Sequence, residues 1–217
     1  MWGRLLIVKK EAGMLYDHVH ISHGVSKLGA DIPSVSLPVG VTCRADAPCF
    51  KKCYARRGRF CFQRNRAYLE TNLALWRNDP AFFEREITIA AFPARFFRWH
   101  SSGDIPDMAY LEMMARVATN LPDTRFLAFT KKYELIADYI NAHGSLPDNL
   151  VIVLSAWGDF KPDNPHNLPV AYIRFKKEST DIPADARPCP SYCGDCVATG
   201  MSCWDLKRGE SVVFNEH

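Results

Sequence analysis

The sequence predicts an α/β protein, built either as a partial (β/α) barrel or as an open parallel sheet of about five strands, with a cysteine-rich C-terminal tail. Short apolar runs alternate with amphipathic segments of about ten to fifteen residues, which is typical of right-handed βαβ units. The run from Leu150 to Ser155 is almost wholly apolar, as expected for a parallel strand that is covered on both faces. About five strands are too few to close an eight-stranded barrel.

The elements follow one another in a regular order. Segment 34–41 is predicted as a strand or an extended segment that ends in a Pro-Val-Gly turn. The other predicted strands are 95–100, 124–130, 150–155 and 170–175, and the predicted helices are 64–78, 80–92, 106–120 and 133–143. Each helix carries apolar residues three or four positions apart, such as Leu69 and Leu73 in the first. Asp79 and Pro80 are a favourable N-cap and first residue for the second helix. Gly144 is expected to end the fourth.

Length and composition indicate one domain, 1–217, with an α/β part at 26–188 and a metal-binding tail at 189–205 packed on it. A net charge of +3 predicts no strong overall electrostatic attraction to nucleic acid or to membranes. No stretch approaches the roughly 18 to 20 apolar residues of a membrane helix, and the first ten residues are too charged for a signal-peptide core. We therefore expect a cytoplasmic protein without a membrane partner, in a compartment where disulfides do not persist.

Three cysteines, Cys43, Cys49 and Cys53, lie close together on the loop after the first predicted strand. A loop can wrap several sulfur atoms around one ion or cluster, which a helix or a strand cannot. These three cysteines are therefore predicted metal ligands. Cys61 is a weaker candidate, because a buried free cysteine is as common an explanation there.

A second set of cysteines lies near the C-terminus. Its members are separated by three, two and six residues, namely Cys189, Cys193, Cys196 and Cys203. Gly194 and Gly200 permit tight turns between them, and such spacing is typical of a thiolate metal site. The favoured cofactor is a 4Fe–4S cluster, present once or twice. Zinc held by four cysteines is the alternative, although only one pair has the two-residue gap that zinc sites usually repeat.

A polar segment follows the second predicted strand, and it contains His100, Ser102, Gly103 and Asp104. In a parallel sheet, ligands bind outside the carboxyl ends of the strands. These four residues are therefore predicted to bind a polar small molecule. The alternative is an ordinary loop in which Asp104 caps the helix that starts at Pro106.

Basic residues follow the first cysteines, at Arg56, Arg57, Arg59 and Arg64. Together with the aromatic side chains of Tyr54 and Phe60, they could contact nucleic acid. Short basic runs are more often solvated surface. A nucleic-acid or protein interaction module with a structural metal is thus the alternative to an enzyme.

The segments 49–60 and 97–104, and the tail ending at Cys203 and Trp204, resemble the bacteriophage family called the gene-product-eighty-eight-like proteins. The resemblance extends over about residues 26 to 205. It implies a phage-encoded protein that works in the host cytoplasm, and it implies no particular reaction.

The layout is also similar, more distantly, to radical S-adenosylmethionine (SAM) enzymes. That resemblance implies a cluster on Cys43, Cys49 and Cys53, with SAM held at Ser102–Asp104 beside an open iron. The family's cysteine gaps are three and two residues, whereas the gaps here are five and three. The likeness therefore supports the fold better than the chemistry, and it leaves open whether the protein is an enzyme.

Overall fold

The computed structural model describes residues 18–23, 27–29, 31–177 and 181–216, so the expectation for the first ten residues lies outside the described part. The strands are β1 (Ile21–Ser22), β2 (Ser34–Val35), β3 (Phe96–Trp99), β4 (Arg125–Thr130), β5 (Leu150–Ser155), β6 (Val170–Arg174), β7 (Arg187–Pro188) and β8 (Ser211–Asn215). The helices are α1 (Gln63–Asn78), α2 (Pro80–Ala91), α3 (Met108–Asn120), α4 (Tyr133–His143) and α5 (Cys193–Thr199). None of these helices combines the length and the apolar content needed to cross a membrane.

The described strands form one sheet in the order β1-β2-β3-β4-β5-β6-β8-β7. Neighbouring strands run parallel throughout, except that β1 is antiparallel to β2. The predicted α/β class and parallel sheet are confirmed. The strand count of about five is wrong, because the sheet has eight strands. β1 and β7 are its two edges, so the sheet is open and a barrel is not confirmed.

The strands that the sequence did not predict are either too short to show a pattern or lie outside the alternation of strands and helices. β1 and β7 have two residues each, too few to show an alternating pattern. β8 follows the last cysteine and belongs to no recognisable βαβ unit, although it pairs with β6 over five residues. The segment 34–41 is mostly extended and contains only the two-residue strand β2, and it ends in the predicted turn, where Gly40 is left-handed (φ 82°).

The two faces of the sheet are covered differently. Helices α1 to α4 cover one face, where Phe97 and Trp99 of β3 are fully buried. The other face packs against the C-terminal segment, and Trp204 is only 2% exposed there. The Trp204 indole Nε1 donates a hydrogen bond to the Phe97 carbonyl at 3.0 Å, which ties the cysteine tail to the centre of the sheet.

Two of the predicted helix caps are found in the structure, and one is not. The Asp79 side chain accepts a hydrogen bond from Phe82 N at 3.0 Å, and Gly144 ends α4 with a φ of 84°, as predicted. The alternative role of Asp104 as a helix cap is wrong. α3 starts at Met108, and its cap is Asp107, whose side chain accepts a hydrogen bond from Tyr110 N at 2.9 Å.

Candidate metal centre

The first cysteine loop, defined here as residues 41–62, lies across the carboxyl edge of the sheet. Arg44 donates to the Lys131 carbonyl, just after β4, at 3.3 Å. The Lys52 ammonium group lies 5.3 Å from the centre of the Phe175 ring, just after β6. The Tyr54 hydroxyl donates to the Ser101 carbonyl, after β3, at 2.5 Å. The loop is therefore held against the edge where a parallel sheet binds its ligands.

The segment after β3 holds the start of this loop, and the residues that lead into it, in place. Leu37 N donates to the Ser102 carbonyl at 2.9 Å, and Ser102 Oγ donates to the Leu37 carbonyl at 3.1 Å. Asp104 N donates to Thr42 Oγ1 at 3.0 Å. Gly103 has a φ of +79°, and a Cβ there would lie 2.6 Å from the Leu37 carbonyl oxygen. Only glycine permits this close approach.

The Asp104 carboxylate is buried and accepts three hydrogen bonds from the protein. Thr130 Oγ1 donates to it at 2.6 Å, Lys131 N at 3.0 Å and Ile105 N at 2.8 Å. Burial raises the pKa of Asp104, and these hydrogen bonds act against the increase. The carboxylate thus joins the end of β3 to the end of β4, beneath the first cysteine loop.

His100 is strained and incompletely paired. Its φ of 59° is left-handed, which costs a non-glycine residue about 1 to 3 kcal/mol. Its Nε2 lies 3.2 Å from the Tyr110 hydroxyl, and its Nδ1 has no hydrogen-bond partner among the described residues. Burial, reinforced by the charge of Arg98, lowers the pKa of His100 to about 3, so the imidazole is neutral at physiological pH.

The thiols of the first loop lie close enough to affect one another. Burial raises the pKa of Cys43 to about 11, and the neighbouring Asp104, Cys53 and Cys49 add to the increase. Burial also raises the pKa of Cys49, and the charge of Lys131 acts against it. The three predicted ligands therefore share one partly buried region, with one carboxylate and one cation beside it.

The second set of thiols lies in the cysteine tail, residues 189–205. This tail packs on the face of the sheet opposite helices α1 to α4. Burial raises the pKa of Cys203 to about 12, and Cys193, Cys189 and Cys196 add to the increase. Burial also raises the pKa of Cys193, which the charges of Arg98 and Lys27 partly offset.

All eight cysteines are free thiols. The Cys61 thiol donates to the Arg56 carbonyl at 2.9 Å. Among the described residues, no three cysteine, histidine or acidic side chains are placed to hold a single metal ion.

A family model described as Gene product 88 matches residues 9–204. The chain belongs to this family. The match confirms the resemblance to the bacteriophage proteins and contains all seven predicted cysteine ligands. Comparison with curated proteins and with solved structures gave no match. The resemblance to radical-SAM enzymes gains no support from these comparisons and stays a hypothesis.

The predicted site residues thus lie in three separate regions of the protein. The first three cysteines lie at the carboxyl edge, the last four lie on the face opposite α1 to α4, and Ser102, Gly103 and Asp104 lie between loop and sheet. Metal binding by the cysteines, and cofactor binding by His100 and these three residues, stay predictions.

Sequence reasoning missed Arg98, a half-buried cation whose charge lowers the pKa of a tail thiol, Cys193, against the larger effect of burial. Its position in the sequence could have indicated it. A charged residue between two large apolar residues of a buried strand, Phe97 and Trp99, must point to the opposite face of the sheet. A cation on a covered face needs anionic partners, because burying an unpaired charge is costly.

A cavity of about 450 Å³ was also not predicted. It opens beside the first cysteine loop, after the ends of β2 and β3. Its lining is mostly polar and aromatic, and includes His20, Ser36, Phe60, Asn65, Tyr68 and Ser101. Its size is in the range of small-molecule sites.

Proposed function

We propose that this protein is an iron–sulfur protein of the host-cell cytoplasm, with a 4Fe–4S cluster at the first cysteine loop and a second metal centre in the cysteine tail. The observation that carries the proposal is the grouping of seven free thiols into two partly buried sets. Thiols bind metal as thiolates. A bound metal cation would offset the burial that raises the pKa of Cys43 and of Cys203.

The two sets differ in the number of thiols they offer. Cys43, Cys49 and Cys53 would hold a cluster with one iron lacking a cysteine ligand. When bound, such a cluster supplies electrons to a ligand at the open iron. The four cysteines of the tail would complete the coordination of their centre, as four-cysteine structural zinc sites do. The first centre is therefore the candidate for small-molecule chemistry, and the second for electron storage or structure.

The first experiment measures the metal. Protein purified without oxygen should be brown, should contain iron and sulfide, and should bleach with dithionite. Cys49→Ser should lose the iron of the first centre and Cys196→Ser the metal of the tail, whereas Cys61→Ser, the matched control, should keep both. Colourless protein with stoichiometric zinc after iron-replete expression would refute the iron–sulfur proposal and favour a structural metal.

A second experiment tests the small molecule proposed for the first centre. SAM is the candidate, and Ser102, Gly103 and Asp104 are its proposed contacts. Calorimetry on cluster-loaded protein should detect SAM, and Asp104→Asn should weaken its binding roughly ten- to 150-fold by losing a charge-assisted hydrogen bond. Absence of binding at millimolar SAM would refute the radical-SAM hypothesis and leave the cluster proposal standing.

The exposed surface of the first cysteine loop favours a second candidate function, contact with single-stranded nucleic acid. Phe50 and Tyr54 are 41% and 51% exposed, and Phe62 is 61% exposed. The Arg56 guanidinium lies 4.1 Å from the centre of the Phe50 ring. Exposed aromatic rings that alternate with arginines suit stacked bases and phosphates. Four basic side chains are proposed to contribute: Arg56, Arg57, Arg59 and Arg64.

Fluorescence titration with a labelled single-stranded oligonucleotide tests this candidate. Binding should weaken with salt, and replacing Arg57 and Arg59 by Gln should reduce the salt slope by roughly 0.7 for each phosphate that the variant no longer neutralises. Replacing Arg77 and Arg85, which are exposed on α1 and α2, is the charge-matched control. An equal decrease of affinity in both double variants would contradict a specific interface.

A further inference from the structure

The cavity of about 450 Å³ beside the first cysteine loop is lined by two kinds of side chain. Aromatic rings reach it from three segments, and they belong to His20 just before β1, Phe60 in the loop and Tyr68 in α1. Serine residues in or just after the first three strands also line it, namely Ser22, Ser36 and Ser101. The cavity therefore offers flat ring surfaces together with hydrogen-bonding groups.

Hydrogen bonds hold the walls of this cavity in place. The buried side chain of Asn72, in α1, accepts a hydrogen bond from His20 N at 2.8 Å. Its Nδ2 donates to the carbonyls of His20 and Ser36, at 3.0 Å each. Ser101 N donates to Ser36 Oγ at 3.1 Å. The strand ends and α1 are thus already joined, and a ligand would not have to order them, which favours binding.

Two of the lining rings form a stacked pair. The ring centres of His20 and Tyr68 are 3.9 Å apart, and their planes differ by 28°. Such a pair presents a flat platform on which a planar ligand can continue the stack. Asn65 lies beside it and donates to the Arg59 carbonyl at 2.6 Å. This bond orients the side-chain amide and directs Oδ1, an acceptor for an N–H group, away from the Arg59 carbonyl.

The charge around the cavity is positive. No aspartate or glutamate belongs to its described lining. The exposed side chain of Arg64 donates from Nε to the Tyr68 hydroxyl, and its guanidinium carbon lies 5.4 Å from the centre of the Tyr68 ring. No described carboxylate forms an ion pair with Arg64. A guanidinium group at this position suits a phosphate, which it can bind through two parallel hydrogen bonds.

We propose that this cavity binds a nucleotide that carries a 5′-phosphate. The base stacks on the rings, the serine hydroxyl groups bind the sugar or the edge of the base, and Arg64 binds the phosphate. The nucleotide is either a free monophosphate or the 5′ end of a nucleic-acid strand. This site contains no cysteine and depends on no metal. It shares only Arg64 with the nucleic-acid surface proposed above.

Calorimetric titration of the full-length protein with each of the four ribonucleoside 5′-monophosphates tests the proposal. At least one should bind with a Kd below about 1 mM. Tyr68→Leu should weaken its binding at least about fivefold, because a stacked ring is lost, whereas Tyr68→Phe should retain most of the affinity. Arg64→Gln should weaken the monophosphate about tenfold and leave the matching nucleoside unchanged. Arg77→Gln, about 20 Å away on the same helix, is the charge-matched control.

The outcomes decide the proposal as follows. Absence of binding at millimolar monophosphate would overturn it, and so would equal losses of affinity in Arg64→Gln and Arg77→Gln. Wild-type affinity in a Tyr68→Leu variant that keeps its melting temperature would also overturn it. If Tyr68→Leu does not fold, the preference of Arg64→Gln for monophosphate over nucleoside decides: its loss supports the proposal, and its persistence overturns it.

Competition distinguishes the two sources of the nucleotide. A short oligonucleotide with a 5′-phosphate that displaces the monophosphate at a lower concentration than the free nucleotide does would support the end of a strand. Weaker displacement would support the free nucleotide. Neither result depends on iron or sulfide, so protein without a metal would refute the proposed metal centres and leave the nucleotide site to be judged by its own titration.

Discussion

The first cysteine loop and the cysteine tail are attached to the sheet in different ways. The loop lies across the carboxyl edge and is held mainly by hydrogen bonds, such as those from Asp104 N to Thr42 Oγ1 and from the Tyr54 hydroxyl to the Ser101 carbonyl. The tail lies on a face of the sheet and is held mainly by apolar packing around Trp204. The edge is the part of a parallel sheet that binds ligands, whereas a covered face stabilises the fold.

The charges around the two sets of thiols differ in the number of cations. The thiols of the loop have one carboxylate and one cation beside them, Asp104 and Lys131. The thiols of the tail also have one carboxylate, Asp195, but three cations lie near them: Arg98, Lys27 and Arg187. This difference suggests a division of roles, in which the loop site accepts an additional ligand and the tail site holds its centre permanently. The following changes test that division.

The largest effect is expected from removing a ligand of the tail. Cys193→Ser should lower the free energy of unfolding by about 3 to 4 kcal/mol, the contribution of a ligand present at roughly 100 to 1,000 times its dissociation constant. Cys49→Ser should lower it by less, because hydrogen bonds still hold the loop. Thermal unfolding of anaerobic protein, with iron counts, measures both. A greater loss of stability in Cys49→Ser would reverse the proposed division.

Gly103→Ala should disrupt the loop and spare the tail. The new Cβ would lie within 2.7 Å of both the Leu37 carbonyl oxygen and Thr42 Oγ1, in a left-handed backbone. We expect a loss of about 3 kcal/mol, together with loss of metal at the first centre only. Gly144→Ala is the matched control: its φ is +84° and nothing lies within 4 Å of the added carbon, so strain alone should cost about 1 to 2 kcal/mol. Equal losses of stability and metal in the two variants would contradict the role of Gly103 in holding the first cysteine loop.

Acid should lower the free energy of unfolding through His100, which follows β3 and lies between the two cysteine regions. The pKa of His100 is lowered to about 3 in the folded protein, against about 6.5 when unfolded. Between these values only the unfolded chain binds the proton, so stability is complete above about pH 6.5 and falls as pH decreases, by up to about 1.4 kcal/mol per pH unit.

His100→Asn, which tolerates the left-handed backbone, should remove that pH dependence. The measurement is urea unfolding at pH 7, 6 and 5, taken as the difference between wild type and variant. The raised pKa of Asp104 changes stability with pH in the opposite direction. Because both proteins contain Asp104, its contribution cancels when the variant is subtracted from the wild type. Parallel pH profiles for the two proteins would show that His100 titrates normally.

The smallest effect is expected at the rim of the first loop. Arg44→Met removes exposed ion pairs with Asp46 and Glu134, at 2.6 and 2.9 Å, and should cost less than about 1 kcal/mol. Arg116→Met removes a comparable pair with Glu84, at 2.8 Å, far from the loop. Thermal unfolding should give similar small losses for both. A reduced metal content in Arg44→Met alone would show that the ion pairs help to position the cysteines.

By itself, the sequence determined the α/β class, the four long helices, the buried parallel strands and the two groups of cysteines. These features are local, because apolar spacing and caps such as Asp79 act within a few residues. Only the tertiary structure decided that Asp104 binds the end of β4 and leaves the cap of α3 to Asp107. Only the fold, likewise, placed Arg98 beside Cys193 and Cys203, about a hundred residues away along the chain. Contacts between distant segments depend on how strands and loops pack, and no local pattern encodes them.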